Sequence, residues 1–307
     1  MVLLICNTCF LQKSGNFADI MGEIFHFKQF SVCQDRCAMK VGTDGVLLGA
    51  LAGYGPMSIV LDIGTGTGLI ALMLAQRFPD AHITGIDIAP DAASQAADNF
   101  AASPWADRLE AVCADIREIE TDTKELKNSR IEELNFNFLI FQLFNRIRRV
   151  TEPKAGWHKE NARAKRPPFD HIVCNPPFYE HSPAALSAER NQARRTDTLA
   201  YEELAECASR LLREGGVLEV IIPYSAVDDF IHTCWLHDLH LVRRIDIRTK
   251  ATKPFKRAVV SFGKYDSPIV RESGSPGVLT LLNEDSVPSD EYRTLTGDFY
   301  IEKETNH

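Results

Sequence analysis

Ser58-Ile-Val-Leu-Asp62-Ile63-Gly64-Thr65-Gly66-Thr67-Gly68-Leu-Ile-Ala-Leu-Met-Leu-Ala-Gln76 is the stretch from which the fold can be read. An apolar run suited to a buried strand enters a glycine-rich turn, and a helix-forming run leaves it. Glycines let the backbone turn tightly and let a ligand approach, while a helix start presents free N–H groups. The spacing is Gly-x-Gly-x-Gly with an acid two residues before the first glycine, not the dinucleotide form Gly-x-Gly-x-x-Gly. Alone, this turn leaves a nicotinamide cofactor and S-adenosylmethionine both open.

The segments that follow repeat the pattern. Ala81 to Ile88 reads as a second strand with Asp87 at its end, nineteen residues beyond Gly68, where a carboxylate can accept both hydroxyls of a ribose. The alanine-rich segment from Pro90 to Ala102 reads as a helix. Ala111 to Ile116 reads as a third strand carrying Asp115. Three acids in succession, Asp62, Asp87 and Asp115, each closing a β-α unit, describe a ligand crevice along an open parallel sheet.

A fourth strand, Phe169 to Cys174, runs into Asn175-Pro176-Pro177-Phe178. Proline cannot donate to a sheet ladder, so the strand must end there. The turn offers carbonyl oxygens with few competing N–H groups and an aromatic face beside them. It suits a flat molecule bearing an amino group. A helix from Tyr201 to Arg213, stopped by Gly215-Gly216, then a strand Val217–Pro223, a helix over 226–236 and β-rich stretches Leu241–Ile247 and Arg257–Phe262 complete the series. Earlier in the chain, Phe25 to Val32 alternates as a short hairpin. Thr43 and Asp44 suit the N-cap of a helix over 46–52 that Gly53 ends.

Composition bounds the function. The 307 residues carry a formal charge of −8, which argues against general nucleic-acid stickiness and requires any such partner to meet a local patch. Residues 241–260 supply one: Arg243, Arg244, Arg248, Lys250, Lys253, Lys256 and Arg257 stand against the single acid Asp246, with Phe255 interleaved. Arg190, Arg194 and Arg195 add to it. The eight cysteines (Cys6, Cys9, Cys33, Cys37, Cys113, Cys174, Cys207 and Cys234) include no second pair at zinc-finger spacing, so reduced thiols and no metal are expected. The apolar start Val2 to Ile5 lacks preceding basic residues and is too short to cross a membrane. Residues 1–22 are expected to be a disordered extension, 23–266 the main domain and 267–307 a tail. Residues 117–168 break the rhythm and form an insertion whose order is left open.

With these features together the chain resembles the class I S-adenosylmethionine-dependent methyltransferases, and most of all the bacterial tRNA1(Val) adenine-37 N6-methyltransferase family. The carrying residues are Phe25-His-Phe-Lys-Gln-Phe30, Met39 to Ala50, Leu61 to Leu72, Phe169 to Phe178, Glu189 to Arg195 and Lys253-Pro-Phe-Lys-Arg257. The resemblance implies a Rossmann-like α/β fold: an open, mostly parallel seven-stranded sheet with helices on both faces and an antiparallel C-terminal hairpin. It implies S-adenosyl-L-methionine held by Asp62, Gly64, Gly66 and Gly68 at its methionine part and by Asp87 at the ribose. Asp115 would accept from the adenine amine, Ile88 and Ile116 would offer apolar surface to the ring, and Lys40 and Thr43 would close over the methionyl end. Asn175, Pro176, Pro177 and Phe178 would be catalytic, with Asn175 also touching the cofactor. Arg190, Arg194, Arg195, Arg248, Lys250, Lys253, Lys256 and Arg257 would bind RNA. A cytoplasmic monomer acting on tRNA is expected. An rRNA guanine or a protein glutamine amide offers a similar nitrogen and is the alternative. A nicotinamide-dependent oxidoreductase would leave the Asn-Pro-Pro-Phe turn unexplained, and a non-enzymatic RNA-binding descendant would show no turnover.

Overall fold

A computed structural model describes residues 23–54, 57–119, 169–176, 199–264 and 276–301. Pro177, Phe178, Arg190, Arg194 and Arg195, the expected extension 1–22 and nearly all of the expected insertion lie outside the described residues.

Eight strands form one sheet. In chain order they are β3 (Ile59–Ile63), β4 (His82–Asp87), β5 (Leu109–Cys113), β6 (Phe169–Cys174), β7 (Leu212–Pro223), β8 (Leu239–Arg248), β9 (Phe255–Lys264) and β10 (Gly277–Thr280). A separate antiparallel pair, β1 (Ile24–His26) and β2 (Ser31–Cys33), is the expected hairpin. The helices are α1 (Thr43–Leu51), α2 (Leu69–Arg77), α3 (Pro90–Ala101), α4 (Tyr201–Leu211), α5 (Val227–Leu236) and α6 (Asp290–Thr296). The sheet order is β10-β8-β9-β7-β6-β3-β4-β5. Only β9 runs against its neighbours, so β8 and β9 are the expected antiparallel hairpin.

The eighth strand corrects the seven-stranded expectation. β10, from the stretch read as a tail, pairs in parallel with β8, and α6 follows it. Val278 and Leu279 give it only two large apolar residues, too short a signal to mark a strand in sequence. Two local boundaries also shift. α4 stops at Leu211, and Gly215-Gly216 lies inside β7, where the pairing with β6 slips between Phe169 and His171. Gly215 absorbs that irregularity at φ +77°. Thr43 is the first helical residue rather than a cap. Gly42 precedes it without a side-chain cap, and the Asp44 carboxylate turns to Arg257 instead.

The core has two layers. On β3, Val60 joins one apolar cluster while Leu61 and Ile63 join the other, as the two-residue period of a strand requires. The first cluster takes α1, α2, Phe100 of α3 and the hairpin residues Phe27, Phe30 and Val32. The second takes α4 and α5. α2 is apolar all round and buried from Leu69 to Ala75, because α1 covers the side that the sheet does not. Burying each such leucine stabilises the fold by roughly 1.5–3 kcal/mol.

The topology fixes where a ligand can sit. From β3 the chain moves outward to β4 and β5, then returns to place β6 on the other side of β3. The crevice at this switch point lies beyond the carboxyl ends of β3 and β6. Ile63 pairs with Cys174, so Gly64 and Asn175, the next residues, stand side by side there. Asp170 secures the register at the opposite end: its carboxylate accepts from the Ser58 and Ile59 N–H groups at 3.0–3.2 Å.

Candidate active site

A cavity of about 970 Å³ opens at this switch point. Lys40, Thr43, Gly64, Gly66, Asp87, Ile88, Asp115, Ile116, Asn175 and Pro176 all line it, so residues expected from separate motifs meet in one place. Asp62 and Gly68 do not line it. They build its wall from behind.

Asp62 is fully buried and accepts from Thr65 Oγ1 at 2.7 Å, fixing the turn whose Thr65 faces the cavity. Burial pushes its carboxyl up to about 7. The three turn glycines all have left-handed backbone, at φ +67°, +55° and +81°. A Cβ on Gly68 would fall 2.4 Å from the Phe100 ring, so that glycine serves packing. A Cβ on Gly64 would meet no protein atom within 4 Å, and one on Gly66 only the Gly64 carbonyl at 3.9 Å. Those two glycines leave a cradle open to the cavity.

Asp87 closes the turn from β4. Its Oδ2 accepts from the Gly66 N–H at 3.0 Å and its Oδ1 from the Ala89 N–H at 2.9 Å. Each oxygen keeps a second lone pair for a hydroxyl donor. Asp115 is engaged further: Arg117 donates to it from its backbone N–H, from Nε at 2.9 Å and from a terminal nitrogen at 2.6 Å. This hydrogen-bonded guanidinium holds the Asp115 carboxyl below its ordinary range. Ile116 is buried and Ile88 is half exposed at the mouth.

Asn175 differs from Asp87 and Asp115, whose oxygens are engaged, and shares with Asp62 Oδ1 a buried acceptor that finds no donor. Its Oδ1 is buried and has no hydrogen-bond partner among the described residues. A buried acceptor without a donor is expensive, roughly 1–3 kcal/mol, and the residue that carries it lines the cavity.

A strap from Cys33 to Val41 also borders the cavity; Lys40 was expected there, but no local pattern marks Arg36 or Cys37 as part of the site. Arg36, Cys37 and Met39 line the cavity from this strap. Gln34 Oε1 accepts from the Val41 N–H at 2.8 Å. Asn99 of α3 accepts from the Cys33 N–H and donates to the carbonyls of Cys33 and Thr67, joining strap to glycine turn. The readable signal was on α3, where Gln95 and Asn99 interrupt an otherwise small and apolar buried face.

The basic stretch is less uniform than expected. Arg257 Nε donates to Asp44, Lys250 Nζ to the Glu284 carbonyl and Arg248 Nε to Thr280 Oγ1. Lys253 and Lys256 are exposed.

An open α/β sheet whose switch point joins a Gly-x-Gly-x-Gly turn to an Asn-Pro turn is the architecture of a class I methyltransferase. A family profile described as a methyltransferase domain matches residues 60–155. A solved structure of a predicted O-methyltransferase from Agrobacterium tumefaciens superposes with a TM-score of 0.51 at 17% identity, covering 86% of this chain and 100% of that one, and shows the fold. The chain is 37% identical over 277 residues to the tRNA1(Val) (adenine(37)-N6)-methyltransferase of Bacteroides fragilis, covering 90% of this chain and 97% of the relative. It is 37% identical over 280 residues to the enzyme of that name from Flavobacterium psychrophilum, covering 91% and 99%. The chain belongs to the tRNA1(Val) (adenine(37)-N6)-methyltransferase family.

Methyltransferases of this class use S-adenosyl-L-methionine, and the cavity fits it on this structure's own terms. The Gly64–Gly66 cradle admits close approach, Asp87 has lone pairs for a diol, and Ile88 and Ile116 give apolar surface. No helix among the described residues is long and apolar enough to cross a membrane.

Proposed function

We propose that this protein methylates the exocyclic N6 amine of adenine 37 in tRNA1(Val), and that the unpartnered Asn175 Oδ1 is the acceptor that holds that amine. The observation that carries the reading is this one buried oxygen, beside the glycine cradle and followed by a proline that removes a competing N–H. The sheet pairing behind it fixes its position on rigid elements.

Bound in the cavity, S-adenosylmethionine supplies a methyl group already activated on a sulfonium. Asp62 (through Thr65), Gly64, Gly66, Lys40 and Thr43 would hold its amino-acid end, Asp87 its ribose, and Asp115 with Ile88 and Ile116 its base. The chain's own task is then placement. An adenine amine is a poor nucleophile because its lone pair is delocalised into the ring. With Asn175 Oδ1 and the Pro176 carbonyl accepting its two hydrogens, the nitrogen moves towards tetrahedral geometry and its lone pair is freed. The same acceptors stabilise the positive charge that develops on nitrogen. Pro177 and Phe178 complete the turn in sequence, with Phe178 as the stacking face for the base. A base in an anticodon loop can be splayed out more cheaply than one in a duplex.

The test is methyl transfer from labelled S-adenosylmethionine to tRNA from cells lacking this gene, followed by digestion to nucleosides. N6-methyladenosine confined to position 37 of tRNA1(Val) is the expected result. Label in methylguanosine, or no transfer to tRNA at all, would overturn it.

A further inference from the structure

The edge that carries Asn175 continues across the sheet. β7 runs parallel to β6, and the registers Pro223↔Arg257 and Arg248↔Phe255 bring the end of β8 and the start of β9 to the same edge. Four side chains stack there. The Arg244 guanidinium lies 5.2 Å over the Tyr224 ring, Tyr224 lies 5.2 Å from Phe255 at 33°, and the Arg248 guanidinium lies 5.4 Å over Phe255. Aromatic pairs that serve the core are buried, as Phe230 and Phe262 are. Tyr224 and Phe255 are only partly buried, and Phe255 lies between the exposed Lys253 and Lys256 in the chain.

Charge points the same way. The chain is acidic overall, yet this hairpin concentrates cations, and its one acid, Asp246, is already paired with Arg244 at 2.7 Å. Like charges held close repel, and the repulsion is relieved by an anionic partner. The patch also reaches the cavity: Arg257 on β9 donates to Asp44, which lines it.

We propose that this edge is the RNA-docking surface: Tyr224 and Phe255 stack a base neighbouring the splayed adenine, while Arg248, Lys253 and Lys256 contact the loop phosphates. The proposal rests on the reading of the chain as a tRNA adenine methyltransferase. It adds an aromatic platform to the basic patch and commits to a single-stranded loop as the partner.

The experiment measures binding of a tRNA1(Val) anticodon stem-loop, and of a fully paired duplex of the same length, across a salt series. The Lys253→Ala/Lys256→Ala double variant should lower the slope of log affinity against log salt by about 1.4, roughly 0.7 for each lost phosphate contact. Phe255→Leu, which keeps an apolar side chain but no flat face, should weaken the stem-loop about tenfold, leave the duplex unchanged and be rescued by Phe255→Tyr. Melting temperature and S-adenosylhomocysteine affinity should stay at wild-type values in all three. Wild-type stem-loop affinity and salt slope in both the lysine and the leucine variants would overturn the docking surface while leaving the methyltransferase reading intact. A wild-type protein that neither binds nor methylates tRNA would overturn both.

Discussion

Arg257 Nε donates to Asp44 Oδ2 across 2.9 Å, tying the start of β9 to the first turn of α1 at the cavity wall. The pair is about one-third exposed on each side, so it should stabilise the fold by no more than about 1 kcal/mol. Its value lies in position. Arg257→Gln and Asp44→Asn should each melt near the wild-type temperature yet lower kcat/KM several-fold. The double variant should be no worse than either single one, because both break the same contact. Additive losses in a double-mutant cycle would show that the two residues act separately.

Asn175→Ala removes the only acceptor that a side chain of the Asn-Pro turn supplies. Losing one such preorganised group commonly lowers kcat by about 10²–10³-fold. Single-turnover methyl transfer should fall in that range, while calorimetric S-adenosylhomocysteine affinity changes by only a few-fold. A variant that keeps wild-type transfer would remove Asn175 from catalysis.

The glycine turn separates binding from folding. Gly68→Ala puts a methyl against Phe100 in a left-handed conformation and should destabilise the fold by roughly 2–4 kcal/mol. Gly64→Ala meets no protein atom. It should lose only about 1 kcal/mol from backbone strain, but weaken S-adenosylhomocysteine binding more than tenfold by filling the cradle. Denaturant titration and calorimetry on the two variants distinguish the roles.

Two buried acids predict opposite pH behaviour. Burial pushes Glu219 up, but His171, Arg243 and the Gly53 N–H outweigh it and hold its carboxyl down at about 2. Its folded value lies below the unfolded one, so its stabilisation is present above about pH 4.5 and is lost as pH falls towards 2. Glu219→Gln should cost about 3–5 kcal/mol at pH 7 and much less at pH 3. Asp62 has the reverse sign. Its folded value of about 7 exceeds the unfolded one, so ionising it costs stability as pH rises from about 4 to 7. In the ligand-free protein, Asp62→Asn should therefore gain stability relative to wild type at pH 8 compared with pH 4. Urea titrations at these pH values check both signs.

The sequence by itself determined the local architecture and the chemical types at the site. The strand before Gly64, the acids at strand ends and the proline-stopped strand before Asn175 depend on backbone freedom and on periods of two and 3.6 residues. These are properties of neighbouring residues. Only the tertiary structure decided which of them meet. The β3–β6 pairing that sets Gly64 beside Asn175, the Asn99 link from strap to glycine turn and the β10 addition join segments far apart in the chain. Ion pairing was equally hidden: Arg257 reaches Asp44, whereas Lys253 and Lys256 stay exposed. A basic residue reads the same in sequence whether it faces an acid or solvent, because that choice belongs to what the fold brings within about 4 Å of it.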